Sequence, residues 1–475
     1  MLRSFFLLLF FPSILFAQNE VRYQTDFPPE EFAARWDKIY DKIGQNIAII
    51  QSAAEPLDYR VFRQSNDFYY LCGLETPNSY LVLDGRSRRA TLYLPHRDYA
   101  RERNEGKRLS AEDATEVREK TGVFSVWAVE QLGRDWVWSN LVRQPMPMIY
   151  TPFSPAEIGN DARDQSLAAF ANNAADPWDG RPSREGWFID LLKKRYPQLE
   201  IKDLSPVLDE MRMIKSAREI ELIRKASRLA AHGVIEAMRS TEVGVYEYQL
   251  EAAARYIFQL NGARREGYSA IVGGGKNAWM GHYFHNDAPL KDGDLVLLDY
   301  APDYRYYTSD ITRMWPVNGK FSAGQRELYG FIIAYRNALL KQIKPNRTSN
   351  EVMDSAADEM RRYIESQNWS KPEYEVAVRN ALAFRGHLSH GVGMSVHDAA
   401  NYRAKPLQKG MVFSVDPMIW VPEELLYVRM EEVVVVTENG VENFTDFMPT
   451  TIEEIEATVR EVGIVQFRKA LNPQK

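Results

Sequence analysis

Short apolar runs that end in an acid recur in the second half of this chain. Leu295-Val296-Leu297-Leu298 ends at Asp299, and Val412-Phe413-Ser414-Val415 ends at Asp416. Eleven residues after Asp299, Asp310 precedes a further β-like run from Ile311 to Trp315. Apolar runs of this length bounded by turn signals predict buried strands, and Lys291-Asp292-Gly293-Asp294 supplies the turn before the first. Tyr427 to Val436 predicts one longer strand, closed by the Asn439-Gly440 turn. Glu431 and Glu432 within it point to opposite faces, so one of them shares a face with Arg429.

Other stretches follow the helical period. Pro28-Pro29-Glu30-Glu31 opens a helix with Phe32, Trp36, Ile39, Tyr40 and Ile43 on one face, and Gly44 ends it. Strands are predicted at Asn46 to Gln51, Phe68 to Leu71, Tyr80 to Leu83 and Ala90 to Leu94. Helices are predicted at Ala111 to Thr121 and Gln165 to Asn172, which makes this first part α/β. Turn formers crowd Asp176 to Ser183, and Leu204-Ser205-Pro206 is the best domain boundary. Ser216-Ala217-Arg218-Glu219 is a capping box. It opens a helix that carries Ile220, Ile223, Ala226, Ala230 and Val234 inward, with His232 as a structural residue. A short amphipathic helix with Trp187, Phe188, Leu191 and Leu192, together with Tyr246 to Leu260, Ser322 to Ile343 and Thr348 to Ile364, completes the predicted helices. Gly273-Gly274-Gly275-Lys276 lacks the spacing of a phosphate-binding loop and reads as a flexible loop beside a site.

Composition narrows the class. A chain of 475 residues, 45% hydrophobic and 26% charged, suits two or three ordinary globular domains. The net charge of -6 gives no reason to expect nucleic acid as a partner. Arg3, the apolar stretch Phe5 to Phe16 and Ala17 have the form of a secretory signal peptide over 1–17. An exported protein, periplasmic or secreted, is therefore expected, with no membrane span once the signal is removed. Cys72 is the one cysteine, so no internal disulfide can form.

An acid at the end of a buried strand is costly unless something neutralises it, and a metal ion does so best. Asp299, Asp310, Asp416 and one of Glu431 and Glu432 form such a set. Five of the seven histidines fall in two short segments, His282 and His285 in one and His387, His390 and His397 in the other. Core histidines would scatter. Four carboxylates with one imidazole suit a pair of manganese, iron, cobalt or zinc ions bridged by shared carboxylates. His96, beside Arg97 and Asp98, reads as a surface loop histidine.

These motifs, taken in order, resemble the aminopeptidase P and prolidase branch of the pita-bread metallopeptidases. Phe62 to Gly73 is similar to that family's N-terminal domain signature. Tyr268-Ser269-Ala270-Ile271-Val272 with His282, Asp299 with Asp310, His390 with His397, and Glu431 follow its catalytic domain in order and spacing. The resemblance implies an α+β protein: a creatinase-type α/β domain over 18–205, then a pita-bread catalytic domain over 206–475. It implies Asp299, Asp310, His390, Asp416 and Glu431 as ligands of two divalent ions, most often manganese, with zinc, cobalt or iron as alternatives. It places His282 and His397 against the substrate and Arg429 beside Glu431. The family cleaves the bond before proline in Xaa-Pro peptides, here by attack of a metal-bridging hydroxide. A homo-oligomer, dimer or tetramer, goes with it. Two positions depart. The family has Glu in a VEPG context where this chain has Val415-Asp416-Pro417-Met418, and Asp416 is also the general-base position. The family has a histidine at Gly386, and His387 stands one residue later as its substitute in substrate binding. The alternatives are a pita-bread peptide-binding protein with impaired catalysis, an Xaa-Pro dipeptidase, and a creatinase-like amidinohydrolase.

Overall fold

A computed structural model describes residues 23–56, 59–136, 146–159, 162–399, 402–403 and 405–467. The expected signal peptide lies outside these residues. The chain divides into two compact units. One holds Met1–Ala156 with Glu185–Leu204, the other Glu157–Arg184 with Ser205–Lys475. The helix expected at Gln165 to Asn172 forms as Arg163–Ala175, and it groups with the second unit rather than the first.

The first unit is built on a six-stranded mixed sheet of β1 (Ile47–Gln51), β2 (Tyr80–Asp84), β3 (Arg89–Leu94), β4 (Ser125–Ala128), β5 (Ile149–Thr151) and β6 (Ile201–Asp203), in the order β4-β3-β2-β1-β5-β6. Central β1 reads Ile-Ala-Ile-Ile with no polar alternation because both its faces are covered. Ile47, Ile49 and Ile149 pack against Phe188, Leu192 and Leu199. The Pro29–Ile43 helix buries Phe32, Trp36, Ile39, Tyr40 and Ile43, as its spacing demands.

The strand expected at Phe68 to Leu71 is instead a helix, Asn66–Cys72, buried at all seven positions. Aromatic residues favour strands, but a segment enclosed on every side satisfies its backbone best as a helix. Its last carbonyls are capped by distant side chains. Arg35 Nη1 donates to Tyr70 O at 2.5 Å, Trp36 Nε1 to Leu71 O at 2.8 Å and Tyr23 to Cys72 O at 2.9 Å. Gly73, with φ 65°, supplies the left-handed cap.

In the second unit, two long helices, Ala217–Arg239 and Glu247–Leu260, and three more, Ala323–Gln342, Ser349–Ser366 and Pro372–Ala383, accompany several small sheets. Capping boxes at Ser216/Glu219, Ser322/Gln325 and Thr348/Glu351 fix three of the helix starts. The strands are β7 (Arg265–Glu266), β8 (Ile271–Gly274), β9 (Leu295–Asp299), β10 (Pro302–Asp303), β11 (Thr312–Pro316), β12 (Val412–Val415), β13 (Met418–Val421), β14 (Leu426–Arg429), β15 (Glu432–Val436) and β16 (Val441–Asn443). They pair as β11-β9-β8, β12-β15-β16, β13-β14 and β10-β7. The glycine run at 273–276 is not a loose loop. It closes β8 and enters a tight turn at Gly275–Trp279. A Cβ on Gly273 would meet Ala278 N at 2.8 Å, so only glycine permits that approach.

The long strand expected from Tyr427 to Val436 is broken. β14 pairs with β13, and β15 pairs with β12 and β16. Between them Met430 N donates to Pro417 O at 3.3 Å and Glu431 N to Thr312 O at 3.1 Å. The chain changes partner there, and the acid lies at the change. Asp416-Pro417 occupies the equivalent gap between β12 and β13. Among the described residues no helix is long and apolar enough to cross a membrane.

Candidate metal centre

The acids converge because each sits where a strand ends or changes partner. Asp299 is the last residue of β9, opposite Thr312 on one side and Ile271 on the other. The Tyr268 hydroxyl lies 2.6 Å from Asp299 Oδ1 and 2.9 Å from Asp310 Oδ1. It has one proton, so it serves one of the two at a time. His390 Nε2 lies 3.2 Å from Asp310 Oδ2 and 4.0 Å from Glu431 Oε1. Asp310, His390 and Glu431 each offer a ligand atom, and these atoms lie within 4.8 Å of one another. Arg429 ties in the other carboxylates. Its Nε donates to Asp416 Oδ1 at 2.9 Å, and its Nη2 lies 3.0 Å from Asp299 Oδ2 and also pairs with Glu431 Oε2. Thr312 Oγ1 donates to Glu431 Oε2 at 3.0 Å.

Charge is not balanced in this cluster. Among the described residues, three buried carboxylates share the Arg429 guanidinium, and Asp310 stands beside them with no cation paired to it. Burial raises the Asp310 carboxyl well above its usual range, and Glu431 and Asp299 push it further. Burial also raises Asp416, and the attraction of Arg429 does not offset it. Asp299 is raised by burial as well, against the pull of Arg429. Burial works against the Glu431 carboxylate too, but Arg429 and His390 hold it below its usual range. Burial, then the neighbouring His397, lowers His390 to about 3. Its imidazole is therefore neutral near pH 7, the form that binds metal. Among the described residues, Glu431 Oε1 is buried with no hydrogen-bond partner. A clustered acid excess, a neutral imidazole and an orphaned carboxylate oxygen fit a divalent cation.

Asp299, Asp310, His390, Asp416 and Arg429 line a cleft of about 840 Å³ that also takes in His282, His387, His397, Trp420 and Tyr427. His282 is exposed and lies 6.3 Å from Phe284, ring to ring, with planes at 16°. The rings of His390 and His397 are 3.9 Å apart. His397 Nδ1 lies 2.9 Å from Asp164 Oδ1, and that hydrogen bond, ahead of the opposing effect of burial, holds the Asp164 carboxyl below its usual range. His387 stands edge-on to Phe384 at 5.0 Å. Its Nδ1 is buried and, among the described residues, has no hydrogen-bond partner, and burial lowers its pKa. Gly386 has φ 122°, a conformation costly to any residue with a Cβ, which accounts for glycine there. His285 is exposed and packs against Tyr283.

Three residues of the site have no chemistry that the sequence pattern shows. Tyr268 lies in a motif that names no role for it, and its hydroxyl between two acids is what it contributes. Thr312 and Asp164 had no local signal. Glu432 faces away from the centre, where Arg313 and Arg336 reach its Oε1 at 2.6 and 2.8 Å.

Comparison with known proteins gives the family. Residues 221–438 match the model for metallopeptidase family M24, and residues 32–137 match that for the aminopeptidase P N-terminal domain. The chain belongs to metallopeptidase family M24, in its aminopeptidase P branch with the pita-bread catalytic domain, and is a hydrolase. The Xaa-Pro aminopeptidase of Escherichia coli (strain K12) is 32% identical over 83% of this chain and 88% of its own. That of Haemophilus influenzae is 29% identical over 92% of this chain and 99% of its own. The structure of aminopeptidase P from E. coli with the inhibitor Pro-Leu matches with a TM-score of 0.73 at 28% identity, over 92% of this chain and 99% of that one.

Proposed function

We propose that this chain is an exported Xaa-Pro aminopeptidase whose centre holds two divalent ions, manganese by preference. Asp299, Asp310, His390, Asp416 and Glu431 are the residues that would hold them. The observation that carries this reading is the excess of buried carboxylate beside the neutral imidazole of His390. Bound there, the ions supply Lewis acidity and lower the pKa of a coordinated water toward neutrality.

The chain's own groups do the rest. Arg429 holds Asp299, Asp416 and Glu431 in fixed relation through its three contacts. Tyr268 aligns Asp299 with Asp310. Asp416 is the candidate general base. It is one methylene shorter than the glutamate usual in the family, yet its Oδ1 still reaches Arg429 Nε at 2.9 Å. His282 and His397 line the cleft. His282 can donate to a scissile carbonyl as negative charge develops on its oxygen, while His397, whose Nδ1 faces Asp164, presents Nε2 to the substrate as an acceptor. Cleavage before proline leaves a nitrogen that carried no hydrogen and must be protonated. His282, or His387 through its Nδ1, which has no hydrogen-bond partner among the described residues, can deliver that proton. The apolar stretch Phe5 to Phe16 supports export.

The test is hydrolysis by purified, manganese-loaded protein over a panel of Xaa-Pro dipeptides, Xaa-Pro-Yaa peptides and Xaa-Ala controls. Release of the first residue from the longer proline peptides is expected. Turnover of dipeptides alone would mark a dipeptidase, and binding without turnover would mark the impaired protein.

A further inference from the structure

The helix Arg163–Ala175 belongs to the catalytic unit, and its first turn meets the His397 segment at two points. Arg163 N donates to His397 O at 2.9 Å. One residue on, Asp164 Oδ1 lies 2.9 Å from His397 Nδ1. A carboxylate only accepts, so Nδ1 must donate. That leaves Nε2 as the nitrogen free for other contacts.

Both partners are fixed by a buried ionic network. Arg163 Nη2 lies 2.7 Å from Asp209 Oδ1, and its Nη1 lies 3.4 Å from Glu157 Oε1. Arg212 Nη1 lies 3.0 Å from Glu157 Oε2, and its Nη2 lies 2.5 Å from Asp398 Oδ1. Lys215 Nζ lies 2.9 Å from Asp398 Oδ2. Asp398 directly follows His397, and Arg163 directly precedes Asp164. The neighbours of the contact are therefore clamped, while the Asp164 side chain itself is 60% exposed. An exposed pair adds little to stability. A clamped one can still set a ring's orientation and tautomer.

We propose that Asp164 is a positioning residue for His397, holding the imidazole with Nδ1 protonated and Nε2 free for the substrate. This rests on the reading of His397 as a substrate-facing histidine. The arrangement uses a residue 233 positions away in sequence, on a helix whose residues Gln165, Ser166 and Ala169 also line the cleft.

The test combines kinetics with a readout that needs no turnover. In Asp164→Ala, kcat on an Xaa-Pro-Yaa peptide is expected to fall about 10- to 100-fold, as for other lost ring-orienting partners. KM should stay within about 3-fold and Tm within about 1 °C. Asp164→Asn, which keeps an oxygen acceptor, should recover most of the rate. In a His397→Ala background, adding Asp164→Ala should cost less than about 2-fold. Independently, ¹⁵N-imidazole spectra of the metal-free protein, with the His397 signal assigned by its loss in His397→Ala, should show the Nδ1-protonated tautomer. They should show a mixture in Asp164→Ala. Wild-type kcat in Asp164→Ala, an undiminished loss on the His397→Ala background, or an Nε2-protonated ring in the wild type would each overturn the proposal. If the wild type cleaves no Xaa-Pro peptide, the proposed activity fails, and the spectra still decide the role of Asp164.

Discussion

Glu431 and Glu432 are consecutive and both fully buried, and they keep different company. Glu432 sits between two guanidiniums, Arg313 at 2.6 Å and Arg336 at 2.8 Å, with the Thr445 hydroxyl also donating to it. Burial works against its carboxylate, and the two cations outweigh that. Glu431 shares its one guanidinium with Asp299 and Asp416, while Asp310 stands close by with none. Among the described residues its Oε1 has no hydrogen-bond partner. The Asp398 cluster resembles the Glu432 side, with Arg212 and Lys215 both on the carboxylate. A buried carboxylate covered by the chain's own cations is complete as it stands and holds the fold together. An unbalanced one is complete only with a cation, so it marks the site of chemistry.

Substitutions can break this contrast. Asp299→Asn should reduce kcat/KM on an Xaa-Pro peptide by at least about 100-fold, the scale for losing a group that stabilises the transition state electrostatically. Steady-state kinetics on the metal-loaded variant reads this. On the balanced side, Arg313→Met leaves Glu432 with half its cations and should cost about 3–5 kcal/mol by denaturant unfolding. Asp310→Asn, measured the same way on chelated protein, should cost nothing or add stability, because it removes charge from a cluster in excess. Equal destabilisation by the two variants would abolish the distinction.

A smaller effect comes with acid. Arg212 and Lys215 outweigh burial and hold the Asp398 carboxyl below its usual range. Its folded pKa lies under the unfolded value, so its contribution is fully present above about pH 4. The contribution is lost as pH falls below that and through the folded pKa. Asp398→Asn should flatten the acid limb of a stability-versus-pH curve and lower the plateau at neutral pH. Smallest of all, Asp416→Glu restores the reach usual in the family and should raise kcat by a few-fold, while Tm stays within a few degrees.

How much of this was legible in the sequence follows from how local each feature is. The acids at Asp299, Asp310 and Asp416 stood out because buried strands and turns are written in consecutive residues. The helix at Asn66–Cys72 did not. Its aromatic run has strand propensity, and the side chains that cap its carbonyls lie some 35 to 49 residues away. Gly73 was the one local hint. The break between β14 and β15 was hidden for a similar reason, since Met430 and Glu431 pair with Pro417 and Thr312 rather than with strand neighbours. Glu432 could be read as a solvated strand residue until Arg313 and Arg336, 119 and 96 positions away, were seen beside it. Alternation along the strand did separate the two glutamates correctly by face. What it could not supply was the company each keeps on its own side.

The central claim is that the acid excess around His390 is a two-metal peptidase centre. One titration addresses it: the initial rate of N-terminal residue release from an Xaa-Pro-Yaa peptide, measured on chelated protein as Mn²⁺ is added back. No rate is expected without metal, with a rise that saturates at two equivalents per chain. Full activity in the chelated protein, or no activity at any manganese concentration, would refute the claim.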